Sequence, residues 1–270
     1  MDLLKRQNKK KALQVQVTAR LLYNRANTLD LIQWVVVIAL LLFKTIFSQS
    51  IILNYLLIFW FLISLIFDYY IDEYTGTAAE LKNIFDYYVY GWVDVIPNKD
   101  VQMTNDYKRE HLSFFKKQML NSGESQPYGV KNWYTTVKKD NSNEKNIESA
   151  MRENVDFDKK INSFALLLII FLIVCVLLCL SVSQESFYFV IVNIFISFAP
   201  LTTKTYSTYK NIKKVQSLNN KIKSLLCDKN ISFKLVQSEI DKKRSIPRTS
   251  NMLLYYLRTT KIHKILAHDN

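Results

Sequence analysis

Only 4 glycines and 4 prolines occur among 270 residues. A loop that wraps phosphate with its backbone needs several glycines close together, and this chain has no such stretch. A β-rich or loop-rich chain needs far more turn residues, so a mostly helical fold is expected. Cysteine is as sparse, with 3 in all. Cys175 and Cys179 share one face of an apolar run and Cys227 stands alone, which is neither a disulfide framework nor a zinc spacing. The 3 histidines, His111, His263 and His268, are scattered, so neither a metal-ligand pair nor a nucleophile–base set is visible. No metal, no cofactor and no enzymatic activity are expected. The paired acids Asp72–Glu73 and Asp156–Asp158 are read as solvated or ion-paired groups.

What the chain does have is apolar residues, 49% of the total, gathered into four blocks with the charges between them. The clearest block is Phe164–Val182, FALLLIIFLIVCVLLCLSV, which is continuous, uncharged and as long as a bilayer core requires. A soluble helix of that length would carry a polar stripe. Leu31–Phe47 and Ile51–Phe67 are two further blocks, separated only by Ser48, Gln49 and Ser50. Phe187–Leu201 is the fourth, joined to the third by Ser183–Ser186. Links this short force antiparallel neighbours. The expected fold class is therefore an all-α membrane protein with four transmembrane helices as two hairpins, together with a mostly helical cytoplasmic domain.

The net charge of +13 suits Lys and Arg facing anionic lipid. Neither hairpin tip contains Lys or Arg, whereas the N-terminal segment, the central insertion and the tail hold nearly all of them. The positive-inside rule then puts both termini and the insertion on the cytoplasmic side of the membrane. The expected divisions are a basic amphipathic helix over 1–30, hairpins over 31–67 and 164–201, an insertion over 68–163 and a basic helical tail over 202–270. In the first segment Leu13, Val17, Leu21 and Leu22 recur at helical spacing, which fits a helix packed on the cytoplasmic part or one lying on lipid.

In the insertion, Leu81, Ile84, Phe85, Tyr88 and Trp92 mark an amphipathic helix. The segment VDVIPNKDV breaks it at Pro97 and Asn98. A second helix is expected over Asn105–Leu120, a loop over Asn121–Gly129, and an extended piece at KNWYTTV. A helix over Glu144–Lys160 is expected to run into the third span. In the tail, Leu225, Leu226 and Phe233 suggest a turn and a return, and Pro247 is expected to open a last helix. The Lys–Tyr stretch KTYSTYK reads as juxtamembrane lipid contact, and no DNA or RNA partner is expected.

Inside the spans, Asn54 and Asn193 are the notable polar groups. Each either bonds to another helix or lines a water-filled path between subunits. The spans contain no acidic residue, which argues against ion-coupled transport. Arg152, with Lys159 and Lys160, either contacts phosphates or pairs with Asp156 or Asp158.

Short motifs add a family resemblance. RQN at Arg6–Asn8 opens the chain, and a basic helix ending LLYNRA follows. Then come IFD at Ile84–Asp86, a Pro97–Asn98 segment, NWY at Asn132–Tyr134, RENVDFD from Arg152 to Asp158, and Pro247, Tyr255 and Arg258 in the tail. In this order around two hairpins, the chain resembles the SMODS-associated four-transmembrane effector family of bacterial conflict systems. It departs from the family pattern at Phe157, where Trp is common, and at Met151–Arg152, where the family has Gln–Arg. The resemblance implies a pore-forming or membrane-disrupting antiphage effector, released by a cyclic oligonucleotide from a partner nucleotidyltransferase. A homo-oligomer is expected, because four spans enclose little space. The family motifs make Asn132, Trp133, Tyr134, Arg152, Asn154 and Asp158 candidate signal or partner contacts. The alternative is a membrane-anchored scaffold or sensor whose hairpins only tether an interaction domain.

Overall fold

The computed structural model describes residues 3–47, 50–122, 129–155, 174, 187–228 and 230–247. The regular elements among them are α-helices, with one backbone bridge between Ser122 and Lys131. A short α1 (Leu3–Gln7) leads into α2 (Lys10–Ile46), 37 residues long. The chain returns as α3 (Ile51–Val89), 39 residues long. Next come α4 (Asn98–Glu110), α5 (Leu112–Leu120) and α6 over residues 143–155. α7 (Phe187–Cys227) has 41 residues, and α8 (Phe233–Arg244) follows.

Three helices are too long to be membrane spans alone. At about 1.5 Å per residue, α2, α3 and α7 measure about 55–60 Å, roughly twice the hydrocarbon thickness of a bilayer. α2 and α3 are long and apolar enough to cross a membrane. They run antiparallel: Gln33 meets Ser64 and Asp68, while Arg25, earlier on α2, lies over Tyr74, later on α3. Around their link Ile46, Ile51, Ile52, Tyr55, Phe59 and Leu62 are all exposed. An apolar surface of this extent needs lipid or protein to cover it. Trp34, Val37, Leu41, Trp60 and Leu201 pack together between α2, α3 and α7.

The other halves of the long helices enter a folded domain without a break. Its core gathers Leu22 from α2, Leu81 and Phe85 from α3, Met151 from α6, Ile222 from α7, and Val236 and Ile240 from α8. The first basic helix is thus packed on the domain: Leu13 and Val17 are buried against Phe115 and Val130. The tail returns as expected between the end of α7 at Cys227 and the start of α8 at Phe233, and α8 closes the core.

Two local expectations shift. The helix expected to reach Trp92 ends at Val89, stopped at Gly91 ahead of the Val93–Val101 segment. Gly91 has φ +80, and the amides of Gly91 and Trp92 bond back to the carbonyls of Tyr88 and Tyr87. That is a glycine stop, in a conformation an L side chain resists. The helix expected over Asn105–Leu120 begins earlier, at Asn98, and divides at His111 (φ −125, ψ 42). The third apolar run, Phe164–Val182, lies outside the described residues except for Val174, as does the helix expected after Pro247. The fourth run forms the first part of α7.

Candidate functional site

The short motifs turn out to be one structure. Gln7 on α1 accepts a hydrogen bond from the Tyr134 backbone amide at 3.0 Å. Asn8 and Asn132 bond reciprocally: Asn8 Nδ2 donates to Asn132 Oδ1 at 2.7 Å, and the Asn132 amide donates to Asn8 Oδ1 at 3.0 Å. Asn132 has φ 50, a left-handed conformation that asparagine tolerates better than other side-chain-bearing residues. Lys82 lies 3.7 Å from the centre of the Trp133 ring, a cation–π contact. The Glu153 carboxylate of α6 then accepts from the amides and hydroxyls of Thr135 and Thr136 at 2.9–3.4 Å. RQN, IFD and NWY are therefore three parts of one fastening, and RENV secures its far side.

At its centre lies Asp86, fully buried. Its Oδ1 accepts from the Tyr134 hydroxyl at 2.5 Å, and its Oδ2 accepts from Arg244 Nη1 at 2.6 Å and from Gln237 Nε2 at 3.0 Å. Tyr90 donates to the Tyr134 hydroxyl at 3.2 Å, and Tyr23 on α2 donates to the Arg244 carbonyl at 3.2 Å. The network thus ties α1, α2, α3, the NWY loop and α8. Burial, and then the Asp86 charge, hold the Tyr134 and Tyr90 phenols well above their ordinary range, so both stay protonated. Burial opposes the Arg244 charge more than any one neighbour favours it, but Asp86 together with Tyr134, Tyr90 and Asp241 outweighs burial and raises the guanidinium further. Asp241 lies 3.8 Å from Arg244 and accepts from Gln237 at 2.8 Å. Its carboxyl is raised to about 6, mainly by burial, with Asp86 adding to the shift and Arg244 opposing it. A buried charge set of this kind is costly unless every member is paired.

A second cluster sits where the long helices leave the apolar zone. Lys204 on α7 lies 2.6 Å from Asp30 on α2 and 3.6 Å from Asp68 on α3, and donates to Gln33 Oε1. Gln33 Nε2 donates to the Ser64 carbonyl and to Asp68 Oδ1, both at 2.9 Å. One ammonium thus pins three helices together. Pro200, inside α7 and one turn before Lys204, removes a backbone hydrogen bond at the same level. Asp72, one turn beyond Asp68, is raised by burial and by the Asp68 charge.

The candidate residues fall into three groups. Asn132, Trp133 and Tyr134 come together in the fastening described above. Arg152 and Asn154 sit on α6 beside it. Arg152 donates to Glu148 at 2.8 Å and to the Leu226 carbonyl at 3.0 Å, while Asp156 and Asp158, its expected partners, lie outside the described residues. Asn154 donates to Ala150, and its carbonyl accepts from Lys243. Asn54 on α3 has a buried Oδ1 with no hydrogen-bond partner among the described residues. Asn193 lies on α7 where the backbone alone is described, and Asp158 lies outside the described residues. Sequence reasoning missed Arg244, Gln237 and the Lys204 cluster. The legible signal for the last was opposite charge at one depth, with Asp30 and Asp68 bracketing the first hairpin and Lys204 just after the fourth run.

These features define a class: a helical membrane protein whose apolar helices continue into a polar, hydrogen-bonded core. The chain belongs to the SMODS-associating 4TM effector domain family, whose model matches residues 1–261. It is thus a membrane effector of SMODS-associated systems, and that match covers nearly its whole length. No curated protein and no solved structure matches it.

Proposed function

We propose that this chain permeabilises the bacterial inner membrane as an oligomer when a nucleotide second messenger reaches its cytoplasmic domain during phage infection. One observation carries the reading: α2, α3 and α7 pass unbroken from the apolar zone into the folded core. A rearrangement of that core therefore moves the membrane helices as rods, without a flexible linker to absorb it. The ligand drives opening only as far as it binds the open arrangement better than the closed one. In this reading Lys204 is the closure holding α7 against α2 and α3, and Asn54 and Asn193 supply polar groups to an oligomeric path.

The test is dye release from liposomes bearing the full-length protein, with and without cyclic nucleotides. Release that depends on nucleotide and rises steeply with protein density supports the proposal. Absence of release at densities sufficient for assembly overturns it. Swapping the apolar runs for unrelated apolar helices separates the scaffold alternative, because an anchor keeps its toxicity after the swap. Orientation has a built-in probe, since Cys227 is free and exposed. A membrane-impermeant maleimide should leave it unlabelled in intact cells and label it after permeabilisation.

A further inference from the structure

α3 carries an outer face that its own chain leaves uncovered. Leu62, Ile66, Tyr69, Glu73, Gly76 and Glu80 follow one another at spacings of four and three, which keeps them on one line of the helix. The five that have side chains are exposed, whereas Ile71, Ala78 and Phe85 mark the side buried in the molecule. Glu73 and Glu80 form no ion pair among the described residues. Gly76 is the anomaly on this line. Glycine inside a helix is destabilising relative to alanine, and α3 runs straight through it, so no turn requires it. Among the described residues nothing lies within 4 Å of where its Cβ would stand. Packing inside the chain therefore does not need the missing side chain either. A gap of that kind lets a helix from outside approach closely.

α7 presents a face of opposite sign. Tyr206, Lys210 and Lys213 repeat at four and three, with Lys214 beside them, and all four are exposed. Lys213 leans over the Tyr209 ring at 5.7 Å, and none of the three lysines forms an ion pair among the described residues. Both helices leave the apolar zone in the same direction, and the contact between Lys204 and Asp68 at 3.6 Å sets them at one level. Counted from that level, Tyr69 and Tyr206, Glu73 and Lys210, and Gly76 and Lys213 each differ by one residue, about 1.5 Å in height. Within one chain these faces cannot meet, because α3 and α7 turn their opposite sides, with Ile71, Leu201 and Ile212 buried, into the molecule. Copies inserted in the same orientation do share the heights. Anionic lipid would suit the lysines but is repelled by Glu73 and Glu80. Like charge excludes α3 on α3 and α7 on α7. The occupant that satisfies both faces at once is a second copy of this chain.

We propose that the outer face of α3 in one copy docks along the outer face of α7 in the next, with Tyr69 beside Tyr206, Glu73 opposite Lys210, and the Lys213 stem crossing Gly76 toward Glu80. The inference rests on the oligomer in the reading above and names its interface. The contact is heterologous, so each copy keeps one unused face and assembly continues past a pair until it closes about the bilayer normal. Exposed ion pairs contribute little energy. Their part here is register and orientation, while the close approach at Gly76 and the paired tyrosines supply contact area.

The test uses full-length protein with its 3 cysteines replaced by serine, in phosphatidylcholine liposomes. No nucleotide is added, since both faces are already presented in the arrangement described. Copies carrying Tyr69→Cys are mixed with copies carrying Tyr206→Cys and treated with a short bismaleimide. The mixed pair should crosslink, each variant alone should stay at background, and a chain with both cysteines should give a ladder of multiples. Added to this background, Glu73→Lys or Lys210→Glu should lower the mixed yield about threefold or more by putting like charges opposite each other. Both reversals in one chain should restore it. Gly76→Leu should lower it likewise while leaving the unfolding midpoint equal or higher, which separates a blocked interface from a damaged fold. Absence of the mixed crosslink overturns the interface, as do same-site crosslinks of equal yield, or a yield unmoved by both charge reversal and Gly76→Leu. A mixed crosslink that requires added phosphatidylglycerol assigns the α7 face to lipid and also overturns it. Nucleotide-triggered dye release that survives Glu73→Lys and Gly76→Leu refutes this interface while leaving the effector reading intact. Crosslinks that follow the predicted variants without any dye release support the interface and refute permeabilisation.

Discussion

Replacing either partner of the Asp86–Arg244 pair leaves a charge stranded in the core, but the two losses are not equivalent. In Arg244→Gln the Asp86 carboxylate keeps two donors, the Tyr134 hydroxyl at 2.5 Å and Gln237 at 3.0 Å. In Asp86→Asn the guanidinium stays charged, and its nearest remaining acid among the described residues, Asp241, is 3.8 Å away. Removing one member of a buried pair costs about 3–5 kcal/mol, so Asp86→Asn should fall at the upper end of that range and Arg244→Gln at the lower. For a chain of this size 1 kcal/mol lowers Tm by about 2–4 °C, so Asp86→Asn should lower the midpoint by about 10 °C or more. The double variant replaces two charges with two amides that can bond to each other. It should cost less than the sum of the singles by about 2–3 kcal/mol. The assay is thermal unfolding of the full-length protein in micelles, followed by tryptophan fluorescence. Trp92 stands edge-on to Tyr87 and Tyr90, and Trp133 stacks under Lys82, so emission reports this core. Additive single losses, or an Asp86→Asn midpoint equal to that of the unmodified chain, would refute the reasoning.

Asn132→Ala should cost about 1–3 kcal/mol, because alanine resists φ 50 and cannot bond to Asn8. Asn132→Gly should recover part of that loss, and an unchanged midpoint for the alanine variant would contradict it. The folded chain holds the Asp241 proton more tightly than the unfolded chain, with a pKa of about 6 against 3.8. The stabilisation from that proton is complete below the unfolded value and is lost as pH rises through the folded one. Asp241→Asn should therefore raise stability near neutral pH by about 1–3 kcal/mol and flatten this slope. Unfolding midpoints of the two proteins across the window check it, and parallel curves would count against it. Lys204→Glu places like charge beside Asp30 and Asp68 and should loosen α7 from α2 and α3. Raised basal dye release without nucleotide is the expected result, and release unchanged from the parent protein would remove Lys204 as a closure.

Much of the helical layout was legible because burial follows periodicity. Leu81, Phe85 and Tyr88 recur at helical spacing and are buried. The tail's Leu225, Leu226 and Phe233 signalled a return, and α8 makes it. The stop at Gly91 and the division at His111 were harder to see, since each depends on a single residue's backbone conformation. The family motifs were visible as strings, but their meaning was not. Gln7 and Tyr134, or Asp86 and Arg244, are far apart along the chain, and no local pattern pairs them.

Sequence alone determined where apolar surface is concentrated and which segments are helical. Both follow from the solvent preference and the repeat of neighbouring residues. Only the tertiary structure decided that the apolar helices continue as rods into the core, which polar groups are buried, and which charge meets which. Those outcomes depend on close approach between distant segments, because a carboxylate becomes a fastener only when a specific guanidinium and hydroxyl arrive within hydrogen-bond reach in a place water cannot enter.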